Sequence, residues 1–118
     1  MALSHPFELF DLPDGAELVT RVLRFEDTED TIKPPRAPQG VTVRIVRLHV
    51  PPEDKPHVPA YWDLTASRFL PTLVAALPDV VAGKRWIRIR KEGIAPRARF
   101  SLEVLPPTFT GPAFVGVR

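Results

Sequence analysis

One predicted β-hairpin, over residues 84–105, gathers most of the side chains that could bind an anion. Both of its strands alternate between apolar and polar residues, which predicts one face toward a core and one toward solvent. Antiparallel neighbours on one face lie about 5 Å apart, so guanidinium groups there repel one another unless an anion or acidic groups intervene. The candidate binding residues of this polar face and its edge are Lys84, Arg85, Trp86, Arg88, Arg90, Arg97 and Arg99.

Arginines beside an exposed indole provide contacts to phosphates and a surface on which bases can stack. Proteins that bind single-stranded nucleic acid combine these two features. Trp86 would supply the stacking surface, and Trp62 either extends it or belongs to the core. No base-reading motif accompanies these residues, so we expect weakly sequence-specific binding.

The distribution of charge leaves two alternatives open. Residues 1–30 hold eight acidic and two basic side chains, whereas residues 84–118 hold two acidic and eight basic ones. The acidic segment could therefore cover the arginine face. Alternatively, the chain is a small protein–protein interaction adaptor that uses the hairpin face, where Arg and Trp would be hot spots, or the proline-rich loops at 34–38 and 51–59. An exposed edge strand also leaves a homodimer open.

The sequence lacks the motifs of common enzyme classes. It has no Cys, and its three histidines, His5, His49 and His57, are not spaced as a metal-binding pair. Neither a nucleophile elbow nor a phosphate-binding loop is present. We therefore predict a protein that is not an enzyme and uses no cofactor or metal. No apolar run approaches the ~20 residues of a membrane span, and no secretory signal begins the chain, which predicts a cytoplasmic protein.

The predicted elements are mainly strands. Strands are expected over 16–25, 41–50 and 61–64, with an exposed loop over 26–40, and a helix from Thr65 or Ser67 to about Leu77. The phase of alternation changes within 41–50, which indicates a bulge or a coiled strand. Residues 106–118 are expected to form a loose tail that could dock through Phe109 and Phe114. This order predicts a single domain over 1–118, mainly β with one helix, as an OB-like small barrel; an open α+β sheet is the alternative.

Residues 60–105 carry a resemblance to a known class of small proteins. The segment 83–93 reads Gly-Lys-Arg-Trp-Ile-Arg-Ile-Arg-Lys-Glu-Gly, and 96–104 reads Pro-Arg-Ala-Arg-Phe-Ser-Leu-Glu-Val, after a capped helix. In this order the segments resemble small OB-like modules of phages and mobile elements. The resemblance implies a single-stranded-DNA-binding or replication accessory protein whose basic hairpin residues contact DNA. The proline-rich first half of the chain departs from these modules.

Overall fold

The first half of the chain is divided between two sheets by a tight corner at Val22 and Leu23. The computed structural model describes residues 12–33, 38–55, 59–66, 68–94 and 97–117. These residues form seven strands, one α-helix and a 3-10 turn at Pro52–Asp54. The strands are β1 (Glu17–Arg21), β2 (Arg24–Ile32), β3 (Val41–His49), β4 (Tyr61–Leu64), β5 (Trp86–Glu92), β6 (Arg99–Val104) and β7 (Phe114–Gly116), and the helix is α1 (Leu70–Ala82).

Both sheets are antiparallel. One has the strand order β6-β5-β1-β7 and the other has the order β2-β3-β4. The described part of the chain is therefore mainly β with one helix, which confirms that part of the predicted fold class. At the corner, the Leu23 N–H donates to the His49 carbonyl at 2.8 Å, and this bond ties the start of β2 to the end of β3.

A single cluster of apolar side chains fills the space between the sheets and the helix. Each sheet contributes alternate residues and α1 contributes one stripe, as expected when two layers share a core. The buried members from β1, β3, β4, α1 and β5 are Leu18, Val46, Leu48, Trp62, Leu64, Leu70, Leu73, Leu77, Val80, Ile87 and Ile89.

Strand β2 occupies part of the segment that the sequence analysis predicted to be an exposed loop. Its acidic residues suggested solvation, but two of them, Glu26 and Asp27, contact side chains of β3. Arg44 donates two hydrogen bonds to Asp27, at 2.9 and 2.7 Å, and Glu26 meets the His49 ring at 2.6 Å. The negative charges therefore stabilise a hairpin with β3 instead of preventing one.

The change of phase in β3 reflects burial on both faces of the strand. Its register with β2 is regular from Val41 to His49, so the expected bulge is absent from this pairing. Residues 45–48 are all buried. Val46 and Leu48 enter the core, and Ile45 and Arg47 are buried on the opposite face of the strand.

Helix α1 begins and ends later than the sequence predicted. Phe69 is its N-cap, with no side-chain capping bond, and Pro71 lies in the first turn, where its missing N–H costs nothing. The helix passes through Pro78 and ends at Ala82, because Leu77 and Val80 continue the buried stripe beyond the proline. Ser67, one of the two predicted caps, lies outside the described residues.

The C-terminal segment, expected to be a loose tail that could dock through Phe109 and Phe114, includes a strand of the sheet. Strand β7 pairs with β1, with Phe114 opposite Val19. Upstream of β7, Gly111 approaches the Trp86 ring so closely that a Cβ there would lie 3.1 Å from Cη2. Pairing and close packing together fix the segment on the sheet.

Candidate nucleic-acid interface

The β5–β6 hairpin has the two faces that its alternation predicted. Register pairs place Arg88 opposite Glu103, and Arg90 opposite Ser101, on the outer face. Ile87 and Ile89 are fully buried on the inner face. The position of the basic side chains on the outer face is therefore as predicted, but their surroundings differ from those of an open cationic surface.

Carboxylates from both neighbouring strands neutralise the centre of this face. Arg88 Nη1 lies 2.6 Å from Oε1 of Glu103 on β6, and Arg88 Nε lies 2.9 Å from Oε2 of Glu17 on β1. The same Glu17 oxygen is 3.5 Å from Arg90 Nη2. Glu17 belongs to the acidic N-terminal segment, so one member of that segment does cover the arginine face. Two other members, Glu8 and Asp11, lie outside the described residues.

Trp86 is packed within the chain and offers a smaller stacking surface than the sequence predicted. The Arg21 guanidinium lies over the indole at 4.9 Å, and the Phe109 ring meets it in a T-shaped arrangement with centroids 5.3 Å apart. Arg21 is itself held by Asp54, with Nη2 and Oδ1 2.8 Å apart. This hydrogen bond raises the pKa of Arg21 above its ordinary value.

Trp62 belongs to the core and not to the interface. It pairs with Leu48 in the sheet register, which turns its side chain inward, and it is 6% exposed. The Lys55 ammonium lies 4.5 Å from its ring centroid. Trp62 is therefore removed from the predicted set of binding residues.

Lys84 and Arg85 lie at the start of β5, far from the other end of the hairpin. Lys84 is exposed in the turn after α1 and has a φ of 51°. Arg85 Nε donates to the Leu105 carbonyl at 2.9 Å, so this guanidinium fastens the end of β6. Roughly 20 Å of strand separates Trp86 from the pair Glu92–Arg99 at the opposite end. The predicted residues therefore do not form one continuous patch.

Arg97 and Arg99 instead line a groove together with Arg68, a basic residue that was not predicted from the sequence. A groove of about 780 Å³ runs between the start of α1 and the edge of β6. We call it the arginine groove. Its described lining is Ala66, Arg68, Phe69, Thr72, Arg97, Ala98, Arg99, Phe100, Ser101 and Leu102.

The arginine groove carries a net positive charge, although Glu92 of β5 lies opposite Arg99 in the sheet register. Its described lining contains three arginines and neither Asp nor Glu, and within the described part of the chain none of the three arginines makes an ion pair. Phe100 is half-buried beside them and packs against Phe69, with centroids 5.7 Å apart. Arg68 could not be assigned from the sequence, because it lies about thirty residues from Arg97 and only the packing of α1 against β6 brings the two together.

Comparisons with protein-family models, with curated proteins and with solved structures each found no match to this chain. The described residues contain no helix that is long and apolar enough to cross a membrane. Nor do they contain a group of three or more His, Asp or Glu side chains that could hold a metal ion.

Proposed function

We propose that this chain binds single-stranded nucleic acid with little sequence preference, through the arginine groove. The observation that supports the proposal is that Arg68, Arg97 and Arg99 line one groove whose described lining contains no carboxylate. A basic groove that follows a phosphate backbone is the electrostatic part of single-strand recognition. The proposal moves the centre of binding from Trp86 to the groove, because Trp86, Arg88 and Arg90 have partners within the chain.

The shape of the basic surface favours a single strand over a duplex. Proteins that read duplex DNA place a helix or a β-ribbon with base-reading side chains in the major groove. The solvent-facing residues of α1, including Thr72, Pro78 and Asp79, carry no positive charge. In the arginine groove, by contrast, the half-buried Phe100 provides an aromatic edge for an unpaired base.

The order and pairing of the strands are consistent with an OB-like barrel. The region of β1 and β2 is shared between two sheets, and one helix is inserted among the described strands, which is the element order expected of an OB-like barrel. As the resemblance implies, we propose a non-enzymatic accessory protein of cytoplasmic DNA metabolism, with DNA favoured over RNA.

Fluorescence anisotropy with a labelled oligothymidylate tests this proposal. Each phosphate contact to a single strand contributes about 0.7 to the slope of log affinity against log salt, so three arginines predict a slope near −2. The Arg97→Gln/Arg99→Gln variant should lose most of this slope and at least about tenfold in affinity at low salt. The matched control, Arg24→Gln/Lys33→Gln, removes two charges from exposed positions outside the groove and should bind as wild type. Absence of binding by the wild type at low salt, or equal losses in both double variants, would refute the proposal.

A protein–protein adaptor is the second candidate function, and the edge of β6 favours it. Among the described residues, β6 pairs with β5 alone, so its other edge can accept a strand from a partner. The proline-rich loops offered for the same role lie partly outside the described residues, at 34–37 and 56–58. A stoichiometric protein partner that co-purifies without nucleic acid would support this candidate.

A further inference from the structure

The outer edge of β6 is a row of backbone groups whose orientation follows from two hydrogen bonds. Leu105 N–H donates to Trp86 C=O, which places odd-numbered residues of β6 in hydrogen-bonding positions toward β5. At the opposite edge of β5, the Lys91 N–H donates to the carbonyl of Ala16, the residue before β1, in agreement with this alternation. The N–H and C=O groups of Phe100, Leu102 and Val104 therefore point to the outer edge.

From this edge we propose that β6 pairs antiparallel with β6 of a second copy of this chain, in a register centred on Ser101. In that register Arg99 of each copy lies opposite Glu103 of the other, on the outer face. Phe100 lies opposite Leu102 on the inner face, and these are the residues whose backbone groups point outward. The strand is thus complementary to itself in charge, in apolar character and in hydrogen bonding.

The exposure of the side chains agrees with a covered edge. Val104 is 38% exposed although it lies on the inner, apolar face of the strand. In the proposed register it lies opposite Ala98, another small apolar residue. Glu103 already accepts a bond from Arg88 through Oε1, and its side chain is 57% exposed, so Oε2 can meet the second copy's arginine.

Other registers fit less well. In an antiparallel pair, a residue whose backbone groups point to the outer edge must lie opposite another such residue. The symmetry axis of the pair can therefore pass only through a residue, and the next possible registers are centred one residue earlier or later. A centre on Leu102 places Arg99 opposite Leu105, and a centre on Phe100 places Arg99 opposite Ser101. Only the register centred on Ser101 gives Arg99 an acidic partner.

The proposed dimer does not depend on nucleic-acid binding, but it uses one residue of the arginine groove. The strand of the second copy would lie along the edge of β6 that borders the arginine groove, and Arg99 would be neutralised by Glu103 of the second copy. We therefore expect dimerisation and binding of nucleic acid to oppose each other. Because the two equilibria are measured separately, failure of one is distinguishable from failure of the other.

Variants in which Arg99 and Glu103 exchange charge, measured by sedimentation equilibrium, test the register. The edge is small, so we expect a weak dimer that is detectable at about 100 µM protein without nucleic acid. Arg99→Glu and Glu103→Arg each place two pairs of like charges opposite each other and should weaken the dimer at least about tenfold. The double variant Arg99→Glu/Glu103→Arg restores opposite charges and should recover wild-type dimerisation.

A matched control uses Arg97→Glu, which makes the same charge change two residues earlier and should leave the dimer unchanged. A monomeric wild type at this concentration would overturn the proposal. So would a double variant as weak as the single variants, or an Arg97→Glu variant as weak as Arg99→Glu.

Discussion

The carboxylate of Glu17 lies 2.9 Å from Nε of Arg88, on a face that the sequence predicted to be an open cationic surface. The two residues belong to different strands, since Glu17 opens β1 and Arg88 lies in the middle of β5. The Glu17 side chain is only 4% exposed, and the two arginines beside it oppose its negative charge. The Glu17–Arg88 ion pair joins two neighbouring strands of the sheet, and it also neutralises part of the basic face that was predicted to bind an anion.

Substitution of Glu17 by Gln should destabilise the protein more than the same change at Glu103. Both carboxylates face Arg88, but that of Glu17 is buried whereas that of Glu103 is mostly exposed. Loss of the buried partner leaves a half-buried cation and should cost about 1–3 kcal/mol. Loss of the exposed partner should cost at most about 1 kcal/mol. Urea denaturation of the two variants measures the difference, and equal losses would contradict this account of the face.

The strands whose alternation is strict could be predicted from the sequence. In β5 and β6 an apolar face and a basic face repeat with period two, and this pattern alone determines which side chains enter the core. Strand β2 could not be predicted in this way, because its acidic residues have partners such as Arg44 on the neighbouring strand, which the sequence of β2 alone does not show. Acidic residues in series look the same in a solvated loop and in a charge-paired hairpin.

The candidate site could be predicted only in part, for a similar reason. Arg97 and Arg99 were found because they lie on a recognisable strand. Arg68 precedes a helix and becomes part of the site only through tertiary packing. The partners that withdraw Trp86 from the surface, Arg21 and Phe109, likewise come from distant parts of the chain.

The Asp27–Arg44 pair should make stability depend on pH on the acid side. The hydrogen bond from Arg44 lowers the pKa of Asp27 below its ordinary value of 3.8. Because the folded pKa lies below the unfolded one, the stabilisation is present above the unfolded pKa and is lost as the pH falls through the folded pKa. Arg44→Gln should return the Asp27 pKa toward its ordinary value, as measured by NMR titration of the carboxyl carbon. Arg24→Gln is the control and should leave the Asp27 titration unchanged; an unchanged pKa in Arg44→Gln would contradict the assignment.

A buried ion pair and an exposed one of the same chemistry allow the effect of burial to be measured. Arg47 donates to both oxygens of Asp63, at 2.7 and 2.8 Å, and both residues are fully buried. Asp63→Asn should cost about 3–5 kcal/mol, because it leaves the buried guanidinium without its counter-charge. Asp27→Asn breaks the exposed pair and should cost at most about 1 kcal/mol.

Chemical denaturation of both Asp→Asn variants provides these values. The Arg47→Met/Asp63→Leu variant removes both buried charges and should recover much of the stability lost in Asp63→Asn. If Asp63→Asn were no less stable than Asp27→Asn, burial of the pair would not be the source of its effect.

Removal of the Phe109 ring should expose Trp86 and weaken the attachment of the C-terminal segment. The T-shaped contact between the two rings, with centroids 5.3 Å apart, covers part of the indole. Phe109→Ala should shift tryptophan emission to longer wavelength, increase quenching by acrylamide and lower the free energy of unfolding by about 1 kcal/mol or more. Trp62 is buried in the core and supplies a constant background. Val117→Ala, which shortens a side chain that is 60% exposed in the same segment, should change none of these quantities. An unaltered quenching constant in Phe109→Ala would show that this ring does not shield Trp86 in solution, and the indole would again be a candidate for stacking with bases.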